Sequence, residues 1–155
     1  MVVRIRKKIG DAFEIPLSDG RLAYCQYVLR KEAFGDLVRV FNLLSPETLE
    51  SAEPLLRSNI LFPPVFAALV AAVRYGIWKR IGNLPVEPFE FPKFRQTMRT
   101  KPGTYDDWRV WDGKKTKMIG DLPASLRSLE LKCIWGCEAL AERIIDGTYR
   151  GDKMF

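Results

Sequence analysis

The sequence predicts an α+β fold: a mostly antiparallel, strongly curved β-sheet or small barrel of six or seven strands, with two or three helices packed on it. Three observations lead there. Three short strand-like runs joined by turn residues fill positions 11–43. Asp112-Gly113 separates two further strand-like runs within Gly103–Leu122, and Asp-Gly in that setting is the strongest short-range hairpin signal. Helix formers gather at positions 65–74 and 138–145, each run followed closely by glycine.

Taken in order, Asp11–Leu17 sets apolar Phe13, Ile15 and Leu17 against polar neighbours, the period of a half-buried strand, and Pro16 marks its edge or end. Ser18-Asp19-Gly20 is turn chemistry. Arg21–Leu29 is apolar on both faces, which predicts a central strand, and Leu37–Leu43 is rich in β-branched and aromatic residues, so an antiparallel meander is expected. Ser45–Arg57 reads as a connection with a short helical turn. Leu61-Phe-Pro-Pro-Val65 has the prolines of a helix entry, and Val65–Arg74 is predicted as a helix, apolar all round, covered on most sides and stopped at Gly76. Ile77–Gly82 reads as a strand. Phe89, Phe91 and Phe94 lie among Pro88 and Pro92, so strand is expected there only in pieces. In the hairpin, Trp108 and Trp111 are three apart and point to opposite faces, one in the core and one more exposed. A short helix over Leu122–Leu129 and a longer one over Glu138–Ile145 complete the chain.

A chain of 155 residues with 47% hydrophobic and 28% charged residues fits one domain spanning 1–155 that buries about two thirds of its unfolded surface. MVVRIRKKIGD carries basic residues with no apolar run behind them, so a cytoplasmic product is expected. The longest apolar stretch, Ile60–Val73, is shorter than the roughly 20 residues of a membrane-spanning helix, and no membrane partner is expected. Cys25, Cys133 and Cys137 are an odd count, expected to be reduced and mostly buried. A zinc site wants four ligands and the chain contains no histidine, so neither metal nor cofactor is implied.

Without histidine, the usual base for activating serine or cysteine is missing, and no glycine-rich phosphate loop is present, so neither catalysis nor a small-molecule substrate is expected. Paired carboxylates at Asp106 and Asp107, or at Asp11 and Glu14, are read as solvated turns. The net charge of +6 allows a nucleic-acid or acidic-protein partner, and Phe89, Phe91, Phe94, Tyr105, Trp108 and Trp111 lie among Arg95, Arg99, Lys101 and Arg109 like a stacking platform. A small basic nucleic-acid-binding module is therefore the alternative function. Acidic residues are interspersed, however, and the basic runs Arg4–Lys8 and Lys114–Lys117 are short, so direct nucleic-acid binding is not the first expectation. Arg150-Gly151-Asp152 matches an adhesion tripeptide and carries no weight.

Gly10-Asp-Ala-Phe-Glu-Ile-Pro-Leu-Ser-Asp-Gly20, Leu61-Phe-Pro-Pro-Val65, Trp78-Lys-Arg-Ile-Gly82, Phe89-Glu-Phe-Pro-Lys-Phe94, Tyr105–Gly113 and Gly120-Asp-Leu-Pro123 occur in this order. Together they resemble the immunity protein 26 family of bacterial polymorphic toxin systems, from about Ile9 to Ile145. The resemblance implies a cytoplasmic antidote that binds and neutralises a cognate toxin by stoichiometric protein–protein inhibition. Family toxins often look like nucleases. Such binding needs a dissociation constant near nanomolar, about −12 kcal/mol, and an interface of about 1,600 Å² dominated by a few aromatic or arginine anchors. Trp108, Arg109, Arg95 and Arg99 are the candidate contacts. A basic chain suits a basic nuclease poorly. Three resolutions stay open: a toxin that is not a basic nuclease, contact through a local acidic patch such as Glu47, Glu50 and Glu53, or a different role.

Overall fold

The computed structural model describes residues 4–98 and 105–154, which form two compact units. The first comprises the chain up to Pro88 together with Ile134–Thr148, and the second comprises Phe89–Cys133 with the residues from Tyr149 onward. Neither is one continuous piece of chain.

The first unit holds a six-stranded sheet. Its strands are β1 (Asp11–Pro16), β2 (Leu22–Lys31), β3 (Gly35–Val40), β4 (Val65–Ala67), β5 (Lys79–Asn83) and, far along the chain, β10 (Ile134–Trp135), in the order β10-β4-β3-β2-β1-β5. All pairings are antiparallel except β10 with β4. The expected meander is present, with Phe13 opposite Cys25 and Cys25 opposite Val40. Period-two alternation then sends Phe13, Ile15, Ala23, Cys25, Tyr27, Val38, Val40, Val65 and Ala67 to one face. Helices α1 (Leu69–Arg74) and α2 (Cys137–Asp146) cover that face through Leu69, Ala72, Leu140 and Ile144. Ala12 and Tyr24 point the other way, onto Ala52 and Leu55 of the connection after Ser45 and onto Leu84. Strand β2 is therefore central and buried on both sides, as its sequence predicts.

Four expectations change in this unit. The two sheets of the molecule do not close into a barrel among the described residues. Val65–Ala67 is strand, not helix: hydrogen bonding to β3 on one side and β10 on the other outweighs the helix propensity of an alanine-rich run, and the helix starts only at Leu69. That helix buries one face, through Leu69 and Ala72, and leaves Ala71 and Arg74 exposed. Asp11 and Glu14 belong to no solvated turn; both are buried on β1.

Asp11 is held by Arg80 Nε at 3.0 Å, Asn83 Nδ2 at 3.0 Å and the Lys8 N–H at 2.9 Å. Burial pushes its carboxyl pKa up, but the Asn83, Lys8 and Arg80 contacts outweigh it, and the net position is below the ordinary value. A depressed folded pKa stabilises the native state above the unfolded value, near 3.9, and that contribution disappears as pH falls through the folded pKa. Asp11→Asn is accordingly expected to cost stability at pH 7 and almost nothing near pH 2. Urea midpoints at the two pH values check this; equal losses at both would mean the carboxylate charge is not what holds β1 to β5.

None of the three cysteines is in a disulfide, but only Cys25 is buried; Cys133 and Cys137 are half-buried. Burial, with a smaller contribution from Cys137, pushes the Cys25 thiol far above its ordinary pKa. Since the thiolate is the nucleophile, native protein at pH 8 is expected to be alkylated by iodoacetamide at Cys133 and Cys137 well before Cys25, as peptide mass spectrometry would read. Rates for Cys25 equal to those of the unfolded chain would contradict its burial.

The second unit is built on a four-stranded sheet of β6 (Phe94–Thr97), β7 (Trp108–Trp111), β8 (Thr116–Gly120) and β9 (Glu130–Leu131), ordered β8-β7-β6-β9. The β7–β8 hairpin falls where Asp112-Gly113 places it. Gly113 has φ +93°, and a Cβ there would sit 2.6 Å from the Phe91 ring, so the turn requires glycine twice over. Strand β9 pairs in parallel with β6. The expected helix over Leu122–Leu129 shortens to a single 3-10 turn, Ala124–Leu126.

Candidate partner-binding surface

Strand register decides where the candidate contacts go. Phe94 lies opposite Trp111, and Thr97 opposite Trp108, so β6 and β7 share two faces: Phe94, Gln96, Arg109 and Trp111 on one, Arg95, Thr97, Trp108 and Val110 on the other. Both faces are covered at their tryptophans. Trp108 has no exposed surface, and its indole N–H donates to the Tyr105 carbonyl at 2.8 Å. Trp111 is also buried, enclosed by Phe91 and Phe94 with ring centroids 5.6 and 5.7 Å away and by the Lys132 ammonium 4.3 Å from its own ring. The division into one core and one exposed tryptophan is thus corrected: the faces are opposite, and the aromatic cluster of Phe91 and Phe94 fills the second.

Arg95 is not an exposed anchor either. Its side chain is fully buried, with the guanidinium 5.1 Å from the Trp108 ring. It donates to the carbonyls of Leu129 (2.8 Å), Gly151 and Met154. Three acceptors from two distant segments make Arg95 an internal clamp that fixes residues 149–154 onto the sheet. Burial draws its pKa below the ordinary arginine value, opposed by Tyr149, Asp152 and Glu130. The Arg-Gly-Asp sequence falls in this clamped segment, and a Cβ on Gly151 would lie 2.4 Å from the Tyr149 ring. Arg109 retains partial exposure and reaches Asp107 at 3.4 Å. Arg99 lies outside the described residues.

With Phe94, Trp108 and Trp111 buried, these rings offer no face on which bases could stack. The basic run Lys114–Lys117 occupies the β7–β8 turn and the start of β8, which is the edge of its sheet, with Lys114, Lys115 and Lys117 exposed. Lysines on an edge strand discourage the addition of another strand. The Cys25 thiol, sealed in the core with its pKa raised, is the reverse of an activated nucleophile. Among the described residues no group of three or more Cys, Asp or Glu is arranged to hold a metal ion, and no helix is long and apolar enough to cross a membrane.

Exposed apolar side chains are also present on the first unit. Leu44, Leu56, Ile60 and Leu61 are 39%, 47%, 43% and 37% exposed, on the connection between β3 and β4 that also presents Glu47, Glu50 and Glu53 to solvent. The inner side of this connection is fixed. Ala52 and Leu55 are buried, Ser45 exchanges backbone hydrogen bonds with Leu22 at 2.8 and 2.9 Å, and Tyr24 Oη and Ser45 Oγ share another at 2.5 Å. Ser51, Glu53, Pro54 and Arg57 line a cavity of about 330 Å³ on it. Pro46, Pro54, Pro63 and Pro64 mark this stretch in the sequence as a connection, in which Glu53–Arg57 forms a 3-10 turn that buries Leu55 and exposes Leu56. The connection thus presents leucines, an isoleucine and carboxylates to solvent over a fixed inner side.

Compared with known families, the chain matches the family model described as immunity protein 26 over residues 8–105, well over half its length. The match covers the whole β3–β4 connection and ends before the Trp108 hairpin. No curated protein and no solved structure matches the chain.

Proposed function

Because the chain belongs to the immunity protein 26 family, we propose that it acts in the bacterial cytoplasm as a non-catalytic antidote, binding a cognate toxin one to one and blocking it. Family membership over residues 8–105 is the observation that carries this reading. The direct test is co-expression with a toxin encoded beside it, followed by calorimetry on the purified pair. Failure to rescue growth together with absence of a complex overturns the reading.

The contact surface on this reading is the β3–β4 connection. It lies inside the matched residues, and it combines exposed apolar side chains with three exposed carboxylates. Apolar anchors supply affinity once desolvated, while rim charges steer the encounter. A chain of net charge +6 then meets a basic toxin face, such as the substrate-binding side of a nuclease, through a local acidic surface. Of the candidate contacts named from the sequence, Arg109 retains exposure, whereas Trp108 and Arg95 serve the interior.

Replacing Glu47, Glu50 and Glu53 together by lysine is expected to weaken toxin binding at least tenfold, about 1.4 kcal/mol, mostly through a slower and less salt-dependent association rate. Arg109→Ala is expected to change it little. Stopped-flow association at two ionic strengths separates these, and an unchanged rate in the triple variant would move the contact elsewhere.

A further inference from the structure

Past the end of β3, the chain keeps a partner that belongs to no named strand. Phe41 lies opposite Ile60 in an antiparallel bridge, with the Asn42 N–H donating to the Asn59 carbonyl at 2.7 Å and the Leu61 N–H to the Val40 carbonyl at 2.8 Å. Hydrogen bonds on either side of the pair and none within it make Phe41 and Ile60 a non-hydrogen-bonded pair, so the N–H and C=O of Ile60 both point away from β3. Among the described residues, neither group takes a hydrogen bond. Phe41, by contrast, is engaged on its far side, where its N–H donates to the Tyr24 carbonyl at 2.9 Å. Residues 59–61 are therefore the open edge of a short ladder, with Ile60 and Leu61 exposed on it.

Charged side chains on an edge discourage the addition of another strand. The edge strand β8 carries exposed Lys117, the edge strand β5 carries exposed Lys79 and Arg80, and the edges β9 and β10 are two residues long. Asn59, Ile60 and Leu61 carry no charge, and Pro63 and Pro64 come only after the bridge, so they end this edge without blocking it. Its length of about three residues, roughly 10 Å, suits one short extended segment. A residue of such a segment set opposite Ile60 would exchange two main-chain hydrogen bonds with it. Its side chain would fall on the Phe41 side of the sheet, because directly opposed residues share a face. Phe41 packs there with Ala52 and Leu55 of the connection, whose exposed charges are Glu47, Glu50, Glu53 and Arg57. Three carboxylates against one guanidinium favour a segment with basic residues.

We propose that the edge at residues 59–61 takes an extended segment of the toxin, carrying apolar and basic residues, which adds to the sheet as a strand. The assignment rests on the reading of the chain as a protein-binding antidote, and it specifies how the partner sits on the β3–β4 connection. Main-chain pairing at Ile60 sets the register of the segment, and the side chains around it set the choice of partner.

The test uses the full chain labelled with nitrogen-15 and the peptide acetyl-Lys-Val-Lys-Val-Lys-amide, titrated to about 10 mM, a range suited to one isolated short strand. The Ile60 amide proton is expected to move downfield as it gains an acceptor, with smaller shifts at Asn59 and Leu61. The same peptide N-methylated at every residue, which removes its donors, is expected to shift them about fivefold less. Ile60→Pro removes only the outward N–H, a change that edge strands tolerate, and is expected to lose the response at Asn59 and Leu61. Ile60→Ala keeps that donor and is expected to keep a response. Should the proline variant fail to fold, the methylated peptide on the parent chain decides. No shift at Ile60, equal shifts with the methylated peptide, or an undiminished response in folded Ile60→Pro overturns the assignment. So does an Ile60 shift that follows protein concentration without peptide, which would place a second copy on the edge. With the toxin encoded beside the chain, Ile60→Pro is expected to weaken the complex about tenfold or more, and Ile60→Ala less. A complex indifferent to the proline overturns the assignment while the antidote reading stands; absence of any complex overturns the antidote reading, and the peptide result alone then decides the edge.

Discussion

Arg95→Met is expected to lower stability by about 3–5 kcal/mol, because buried carbonyls left without a donor cost about 1–3 kcal/mol each. The side chain is fully buried, and its guanidinium serves the carbonyls of Leu129, Gly151 and Met154. Methionine matches much of the stem against Trp108 but donates nothing, so the Leu129 and Met154 carbonyls lose the Arg95 donor and the Gly151 carbonyl is left with the Met154 N–H at 3.1 Å. Arg95→Lys is expected to recover only a minor part, because one ammonium cannot present the planar fork that reaches acceptors in two segments. Released from the clamp, residues 149–154 are expected to be trimmed by carboxypeptidase far faster than in the parent chain. Urea denaturation and the trimming rate measure the two effects. A loss below about 1 kcal/mol, with trimming unchanged, would mean that these hydrogen bonds are replaced by water at little cost.

Nothing near Arg95 in the sequence announces this role. Phe94-Arg95-Gln96-Thr97 alternates as a strand should, but an arginine between aromatics reads equally as an exposed anchor or a clamp. What decides is the position of its three acceptors, 34, 56 and 59 residues away. The first three strands were legible for the opposite reason: each pairs with its chain neighbour across a short turn, so periodicity and turn chemistry carry all the information needed. Val65–Ala67 shows the limit most clearly. Its helix propensity is real and continues directly into α1, while its strand identity comes from β3 and from a two-residue strand near position 134. The proposed contact surface was half legible, in that Glu47, Glu50 and Glu53 stood out as a patch; the exposed leucines on the same connection depend on how it packs on Ala52 and Leu55.

The second large effect is expected at Phe13. This ring sits on β1 at 2% exposure, opposite Cys25 on one neighbouring strand and Arg80 on the other, with its centroid 6.5 Å from that of Trp78. Phe13→Ala is expected to cost about 3–5 kcal/mol, combining lost transfer free energy with the cavity left behind. Collapse into that cavity is resisted because the surrounding groups are pinned: Cys25 and Tyr27 by the β2 ladder, and Leu140 and Ile144 by α2 on the same face. Should the alanine variant fail to fold, Phe13→Leu keeps most of the volume and is expected to cost less than about 1.5 kcal/mol. Urea midpoints for both variants decide the matter: a loss under about 1.5 kcal/mol for Phe13→Ala would show that this face of the sheet can close over a missing ring.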